Sequence, residues 1–218
     1  RFTEHYLLPM GAAIWSTPSA EMLEFPAEAF VKFCRNHGLL NIEHRPTWKT
    51  VVGGSVSYLR AFEKRFRGSI RLSSPVHHVR RENGRVVVAV PDAPDEVFDA
   101  AVIAAHADEA LAMLADPSPD EQRLLGPWRY QENPTVLHTD PAVMPTARRA
   151  WSSWNYVSED EALAAPVSVS YHMNRLMGLS TRAEYFVTLN GAQAPRDGSV
   201  VREMVYTHPT FTFASLGT

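Results

Sequence analysis

The chain is poor in the residues that most often announce a chemistry. Cys34 is the one cysteine among 218 residues, which excludes an intrachain disulfide and makes a reducing compartment, the cytoplasm, the expectation. No apolar run reaches the ~20 residues that cross a bilayer and no signal peptide opens the chain, so no transmembrane segment is expected. Basic charge is not in excess. The 21 Lys and Arg against 24 Asp and Glu give a formal net charge of −3, which offers no cationic footprint for nucleic acid. The nine histidines form no HExxH and no Cys/His ligand spacing, and the adjacent His77 and His78 would face opposite ways on a strand, so no metal centre is expected.

Phosphate-binding and hydrolase signatures are missing as well. The stretch VVGGSVSYLRAF, residues 51 to 62, opens a helix with two glycines after a β-branched run, as nucleotide loops do. Yet Gly53 and Gly54 are adjacent, no third glycine follows before Gly68, and no Gly-Lys-Ser/Thr closes the stretch. It is neither a dinucleotide fingerprint nor a P-loop, and a plain helix start with Ser55 near the cap accounts for it. There is no GxSxG elbow and Ser55 has no recognisable base partner, which excludes a nucleophilic hydrolase on pattern. Glu159 and Asp160 lie in a polar stretch and read as solvated surface. HHVRREN reads as an exposed hairpin face.

What is present is an ordinary globular composition, 45% hydrophobic and 21% charged, long enough for one large domain or two small ones. The chain begins RFTEHYLLPM without an initiator methionine and stops at FASLGT after an apolar stretch; it is expected to be a piece of something longer. In FPAEAFVKFCRNHG, Pro26 suits a first turn, Ala27, Phe30, Val31 and Cys34 share a helical face, and Gly38 can stop the helix. Cys34 is expected to be inert core. A second amphipathic helix is read on Ser55, Leu59, Phe62 and Phe66. Asn83-Gly84 between β-rich segments predicts a type I′ hairpin. EVFDAAVIAA predicts a strand buried on both sides, as in a layered α/β sheet. ADEALAML is helical, and Ser118-Pro119-Asp120-Glu121 is a capping box. PTVLHTD, RAWSSWNY, VSVSYHMN and EYFVTLN then read as four strands of a mostly antiparallel sheet.

This order, a glycine pair opening a helix, a strand ending LSSPV, a hairpin carrying V-x-x-V, then FDAAVIAAHADEAL, resembles the middle of the flavin-containing amine oxidase superfamily. The set PMGAAIWS, FCRNHGLL, RPTWKTVVGGSVSYL, VIAAHADEAL, VLHTD, AWSSWNY and YHMNRL is similar to a bacterial group of predicted NAD/FAD-binding oxidoreductases within it, over nearly the whole chain. The resemblance implies that Gly53 and Gly54 lie where the chain re-enters the FAD domain. Val76 would contact the adenine end of FAD through its backbone, and Ala104 and Ala105 would let the sheet approach the cofactor; core packing is the alternative for all three. The family's N-terminal GxGxxG and its C-terminal flavin-closing stretch are not in this sequence. The chain is therefore expected to be an internal fragment that does not retain FAD.

Flavin chemistry asks the protein to orient substrate and exclude water, work for which aromatic walls are suited. Trp15, Trp154 and Tyr156 are candidates for a substrate pocket, with sheet packing as the alternative. If Trp154 and Tyr156 line a cavity, strand alternation turns Trp151 elsewhere. His138 stands on the strand that in many amine oxidases carries a lysine reaching the flavin through a water, which implies a catalytic, proton-exchanging role; the alternative is a sheet histidine bonded to a neighbouring carbonyl. The fold class expected is α+β: residues 1–50 a helical part of a substrate domain, 51–108 a partial FAD-binding domain with its hairpin, 109–218 the substrate-domain sheet and helices. The function implied is FAD-dependent oxidation, in the full-length protein, of a small organic substrate, apolar or lipid-like rather than a polyamine. The alternative is a non-catalytic binding or interaction module of degenerate flavoprotein fold, the isolated chain itself being inactive in either case.

Overall fold

A computed structural model describes residues 1–44, 46–156 and 167–217. Its order of elements is α1 (Leu8–Trp15), α2 (Ala27–Asn36), α3 (Val56–Glu63), β1 (His78–Glu82), β2 (Arg85–Ala89), β3 (Glu96–Phe98), α4 (Ala107–Met113), α5 (Pro119–Leu125), β4 (Arg129–His138), β5 (Trp154–Tyr156), β6 (Val169–His172), α6 (Met173–Met177), β7 (Phe186–Leu189), β8 (Val200–Thr210) and α7 (Phe213–Leu216), with short π and 3-10 turns between. The fold is α+β, as the sequence predicts. It divides into two units, Arg1–Lys64 with Gln131–Thr210, and Arg65–Tyr130 with Phe211–Thr218. Among the described residues no helix is long and apolar enough to cross a membrane.

The first unit holds a five-stranded sheet in the order β5-β6-β7-β4-β8. All four strand segments read from the sequence are in it, and the printed pairings β4 with β7, β5 with β6 and β6 with β7 are antiparallel. Beside them α1 and α2 carry an aromatic cluster in which Trp15 packs against Phe25, Phe30 and Phe33 at centroid distances of 4.4, 5.6 and 4.8 Å. The buried stripe of α2 is rotated from the expected one. Phe30, Phe33 and Cys34 turn inward, while Ala27 and Val31 are exposed, because the large rings gain more by burial than alanine or valine. Cys34 is buried, and burial pushes its thiol pKa up, so it is packing and not a reactive thiolate.

The second unit is a three-stranded sheet in the order β1-β2-β3 with α4 and α5. Asn83 and Gly84 both have positive φ, 51° and 75°, as a type I′ turn requires, and Glu82 faces Arg85 across it. Ser118 Oγ accepts from the Glu121 amide at 3.2 Å while Glu121 accepts from the Ser118 amide at 2.8 Å, which is the predicted capping box. The strand expected over EVFDAAVIAA is corrected: β3 ends at Phe98, and Val102 is 94% exposed. β3 is an outer strand paired only with β2, so no second neighbour holds the residues after it extended, and small apolar side chains alone do not hold a strand.

The glycine pair enters α3 as expected, through a turn closed by the Gly54 amide on the Val51 carbonyl at 2.9 Å. α3 is shorter than the reading on Ser55 to Phe66 and buries no residue. Ser55 occupies the cap position without a side-chain cap bond, and Ser57 Oγ instead donates to the Gly54 carbonyl at 2.7 Å. Gly53 and Gly54 have φ of 82° and 77°. A Cβ on Gly54 would meet nothing nearer than Met177 Cε at 4.0 Å, so the glycine is required by backbone conformation and not by crowding. Gly54→Val is expected to destabilise the unit by about 1–2 kcal/mol and Gly54→Asn by less, since asparagine tolerates the left-handed region. Urea unfolding of the two variants checks this, and equal stabilities for valine and wild type would contradict it.

Candidate functional site

The register of the sheet sorts its side chains into two sets. Trp154, Tyr171, Val187 and Leu137 lie in one row across β5, β6, β7 and β4, and Tyr156, Val169, Leu189 and Thr135 in another. Both rows point to the same face because side chains alternate with period two. None of these eight side chains is Asp, Glu, Lys, Arg or His. Trp154 and Tyr156 are 47% and 40% exposed, Trp154 edge-on to Tyr171 at 5.5 Å, and burial raises the Tyr171 pKa.

The intervening rows, Asn155, Ser170, Thr188, Val136 and then His172, Phe186, His138, form the other face, and it is a hydrogen-bonded file. The Asp140 amide donates to His138 Nδ1 at 3.2 Å. A backbone amide cannot accept, so Nδ1 carries the lone pair and Nε2–H donates to Thr188 Oγ1 at 2.9 Å. The Thr188 and Ser170 hydroxyls share a hydrogen bond of 2.7 Å, and Asn155 Nδ2 donates to the Ser170 carbonyl at 3.2 Å. His138 has no exposed surface, and burial lowers its pKa against the raising influence of Asp140. Asp140, also buried, accepts from the Arg196 amide at 2.9 Å, from Arg196 Nε at 3.0 Å and Nη2 at 2.6 Å, and from the Ala142 amide at 3.0 Å. The Arg196 guanidinium holds its carboxyl far below the usual carboxylate range.

The candidate residues therefore separate. Trp154 and Tyr156 come together on the first face, and Trp151 turns to the other, edge-on to His172 and Phe186 at 5.5 and 5.7 Å. His138 is on that second face with both ring nitrogens bonded inside the protein. Trp15 stands in the helical aromatic cluster. Gly53 and Gly54 belong to the first unit, Val76, Ala104 and Ala105 to the second. Glu159 and Asp160 lie outside the described residues. The arginines of HHVRREN are neutralised, Arg80 by Asp95 and Glu82, Arg81 by Asp116 and Glu121. Arg81 stands at the lining of a cavity of about 300 Å³ in the second unit, otherwise walled by Val79, Val86, Ile103, Leu114 and Leu125 among others. Among the described residues no group of three His, Cys, Asp or Glu could hold a metal ion.

Sequence reasoning missed Arg196 and His172. Arg196 lies in an irregular loop with no pattern to mark it, whereas His172 stands in the quoted word YHMNRL and ends β6, where alternation alone puts it beside His138's row.

The match of the flavin containing amine oxidoreductase family to residues 10–192 agrees with this architecture, and the chain belongs to that family. Two solved structures share the fold. A CLA-producing fatty acid isomerase from P. acnes has 12% identity and a TM-score of 0.50, with 73% of this chain and 41% of that chain covered. A proposed protoporphyrinogen oxidase from Exiguobacterium sp. 255-15 has 14% identity and a TM-score of 0.50, with 84% and 47% covered. This chain thus spans less than half the length of either. No curated protein matches it.

The family implies a flavin. Val76, Ala104 and Ala105 are exposed, and their backbone groups appear in none of the backbone hydrogen bonds among the described residues. The sequence contains no GxGxxG helix start, the arrangement that supplies amides to a pyrophosphate.

The buried file makes acid stability predictable. His138 has its pKa lowered in the fold, so its contribution is complete above the unfolded value of about 6.5 and is lost as pH falls below it. Asp140, also lowered, contributes above about 3.9 and loses that contribution in stronger acid. His138→Phe leaves the Asp140 amide and Thr188 hydroxyl short of a partner and is expected to cost about 1–3 kcal/mol. It should also flatten the dependence of the urea midpoint on pH between neutrality and pH 5. An unchanged slope would contradict the neutral buried imidazole.

Proposed function

We propose that this chain is the substrate-side part, with a portion of the cofactor-side part, of an FAD-dependent oxidoreductase that takes hydride from an apolar or lipid-like organic substrate. One observation carries the choice of substrate: eight side chains of one sheet face, from Trp154 to Leu137 and from Tyr156 to Thr135, include no Asp, Glu, Lys, Arg or His. A polyamine would call for carboxylates there, because a buried ammonium without a partner is costly. That a fatty acid isomerase shares the fold agrees with this reading and does not carry it.

In this proposal residues 1–50 and 109–218 belong to a substrate domain and 51–108 to a partial FAD-binding domain. FAD, when bound, supplies the hydride acceptor. Trp154 and Tyr156 bind the apolar substrate and exclude water from it. Val76, Ala104 and Ala105 hold the adenine end through backbone groups, with Gly53 and Gly54 giving the chain its turn into α3 near the cofactor domain. His138 enters from the far face as the group that fixes the strand bearing Val136 and Leu137, and Trp15 as an aromatic neighbour on the helical side.

Two measurements test this. The purified 218-residue chain is expected to show no stoichiometric flavin absorption band, because its sequence carries no GxGxxG helix start to neutralise the pyrophosphate; a full band would overturn the partial cofactor domain. In the longer polypeptide reconstituted with FAD, anaerobic flavin bleaching should be driven by acyl lipids and not by spermidine. Trp154→Ala, at an exposed position, should leave the fold intact and raise KM for the lipid at least about tenfold, given the area an indole buries. Bleaching by spermidine alone, or an unchanged KM, would contradict the apolar wall.

A further inference from the structure

We infer that Trp151, His172 and Arg175 form a corner that binds the carboxylate of an organic acid. This goes beyond the oxidation proposed above and stands whether or not that reading holds. Its origin is an imidazole with nothing to bond. Both ring nitrogens of His172 are buried and lack a hydrogen-bond partner among the described residues. The ring stacks on Phe186 at 5.4 Å and 24° and meets the Trp151 indole edge-on at 5.5 Å.

A neutral imidazole carries one N–H donor and one acceptor, and burying both unpaired is penalised. Phenylalanine would pack against the same two rings without that penalty. His138, whose row on the sheet His172 shares, shows the contrast: the same side chain with each nitrogen satisfied. A histidine with an unpaired N–H in an otherwise well-bonded face is explained when a ligand supplies an acceptor for it.

The surroundings select the ligand's charge. Arg175 lies three residues beyond His172, in the first helical turn after it, and donates from Nη1 to the Trp151 carbonyl at 2.7 Å. No carboxylate among the described residues pairs with it, so its remaining N–H groups are available. The other guanidinium at the corner, Arg148, lies 4.7 Å over the Trp151 ring and is paired with Glu184. Among the described residues the corner therefore holds one guanidinium without a carboxylate partner and one unbonded imidazole, both in contact with Trp151. Two adjacent oxygens bearing one negative charge fit that set, one accepting from the imidazole N–H and one from the guanidinium fork. Arg175 is exposed and is met first, and a small rearrangement of side chains then admits the anion to the ring. The Trp151 indole, held by its N–H to the Pro145 carbonyl at 2.7 Å, reports the event.

Octanoate and octanol, titrated against the purified chain with indole fluorescence as readout and Trp151→Phe as the assignment control, test the inference. Octanoate should bind at least tenfold tighter than octanol, and His172→Phe or Arg175→Gln should each reduce that affinity at least tenfold. In the absence of ligand His172→Phe should raise Tm by about 2–4 °C, the response to relieving a small penalty in a domain of this size. Equal affinity for the two probes, octanoate binding untouched by both substitutions, or a Tm lowered by His172→Phe would each overturn the corner. A failure of flavin bleaching in the longer polypeptide would leave these outcomes unaffected.

Discussion

The hydrogen-bonded file from Asn155 through Ser170, Thr188 and His138 to Asp140 and Arg196 is the constraint on which the sheet depends. Each link joins a different strand or loop: β5 to β6, β6 to β7, β7 to β4, and β4 to the loop that precedes β8. A slip of one residue in any strand would turn its polar member to the other face and leave the neighbours buried without partners. Hydrophobic burial drives the sheet together, but it does not distinguish one register from another as sharply, because Val, Leu and Phe accept many contacts and a hydroxyl or imidazole accepts few.

Fixing the register fixes the chemistry of both faces. With Ser170 and Thr188 locked to one side, Trp154, Tyr171, Val187 and Leu137 have to face the other, and an uncharged aromatic and aliphatic wall results. The polar face has no need of a ligand along most of its length, since its groups satisfy each other. His172, at the end of the row, is the place where that mutual satisfaction stops. The same sheet thus separates a surface suited to apolar substrate from one where, among the described residues, an unsatisfied imidazole stands beside a guanidinium without a carboxylate partner.

Much of this architecture is written locally. Asn83-Gly84 can do little but turn, Ser118 to Glu121 can do little but cap, and the four aromatic and β-branched segments announce strands by period. The family is legible in long words such as VVGGSVSYL and YHMNRL, which is why the α+β class and the flavin connection emerge early. Other features are not local. The strand read over EVFDAAVIAA needs a neighbour that a short sequence window cannot supply, and β8 hides because Val200 and Val201, then Val205 and Tyr206, come as adjacent pairs around Arg202 and Glu203. The stripe of α2 is set by which ring Trp15 meets, a tertiary fact. The partners of His138 lie 50 residues away at Thr188, and Arg196 reaches Asp140 from a loop with no pattern of its own.

The account rests most heavily on His138 being a neutral imidazole that accepts at Nδ1 and donates from Nε2. Long-range proton–nitrogen spectra of the chain labelled with nitrogen-15 histidine read this directly. One histidine should show a protonated Nε2 and a bare Nδ1, should stay neutral at acidities where an unperturbed imidazole takes up a proton, and should vanish in His138→Phe. A proton on Nδ1, or a His138 that charges at the ordinary imidazole pKa of about 6.5, would mean that the file does not exist as described and that the two faces are not fixed by it.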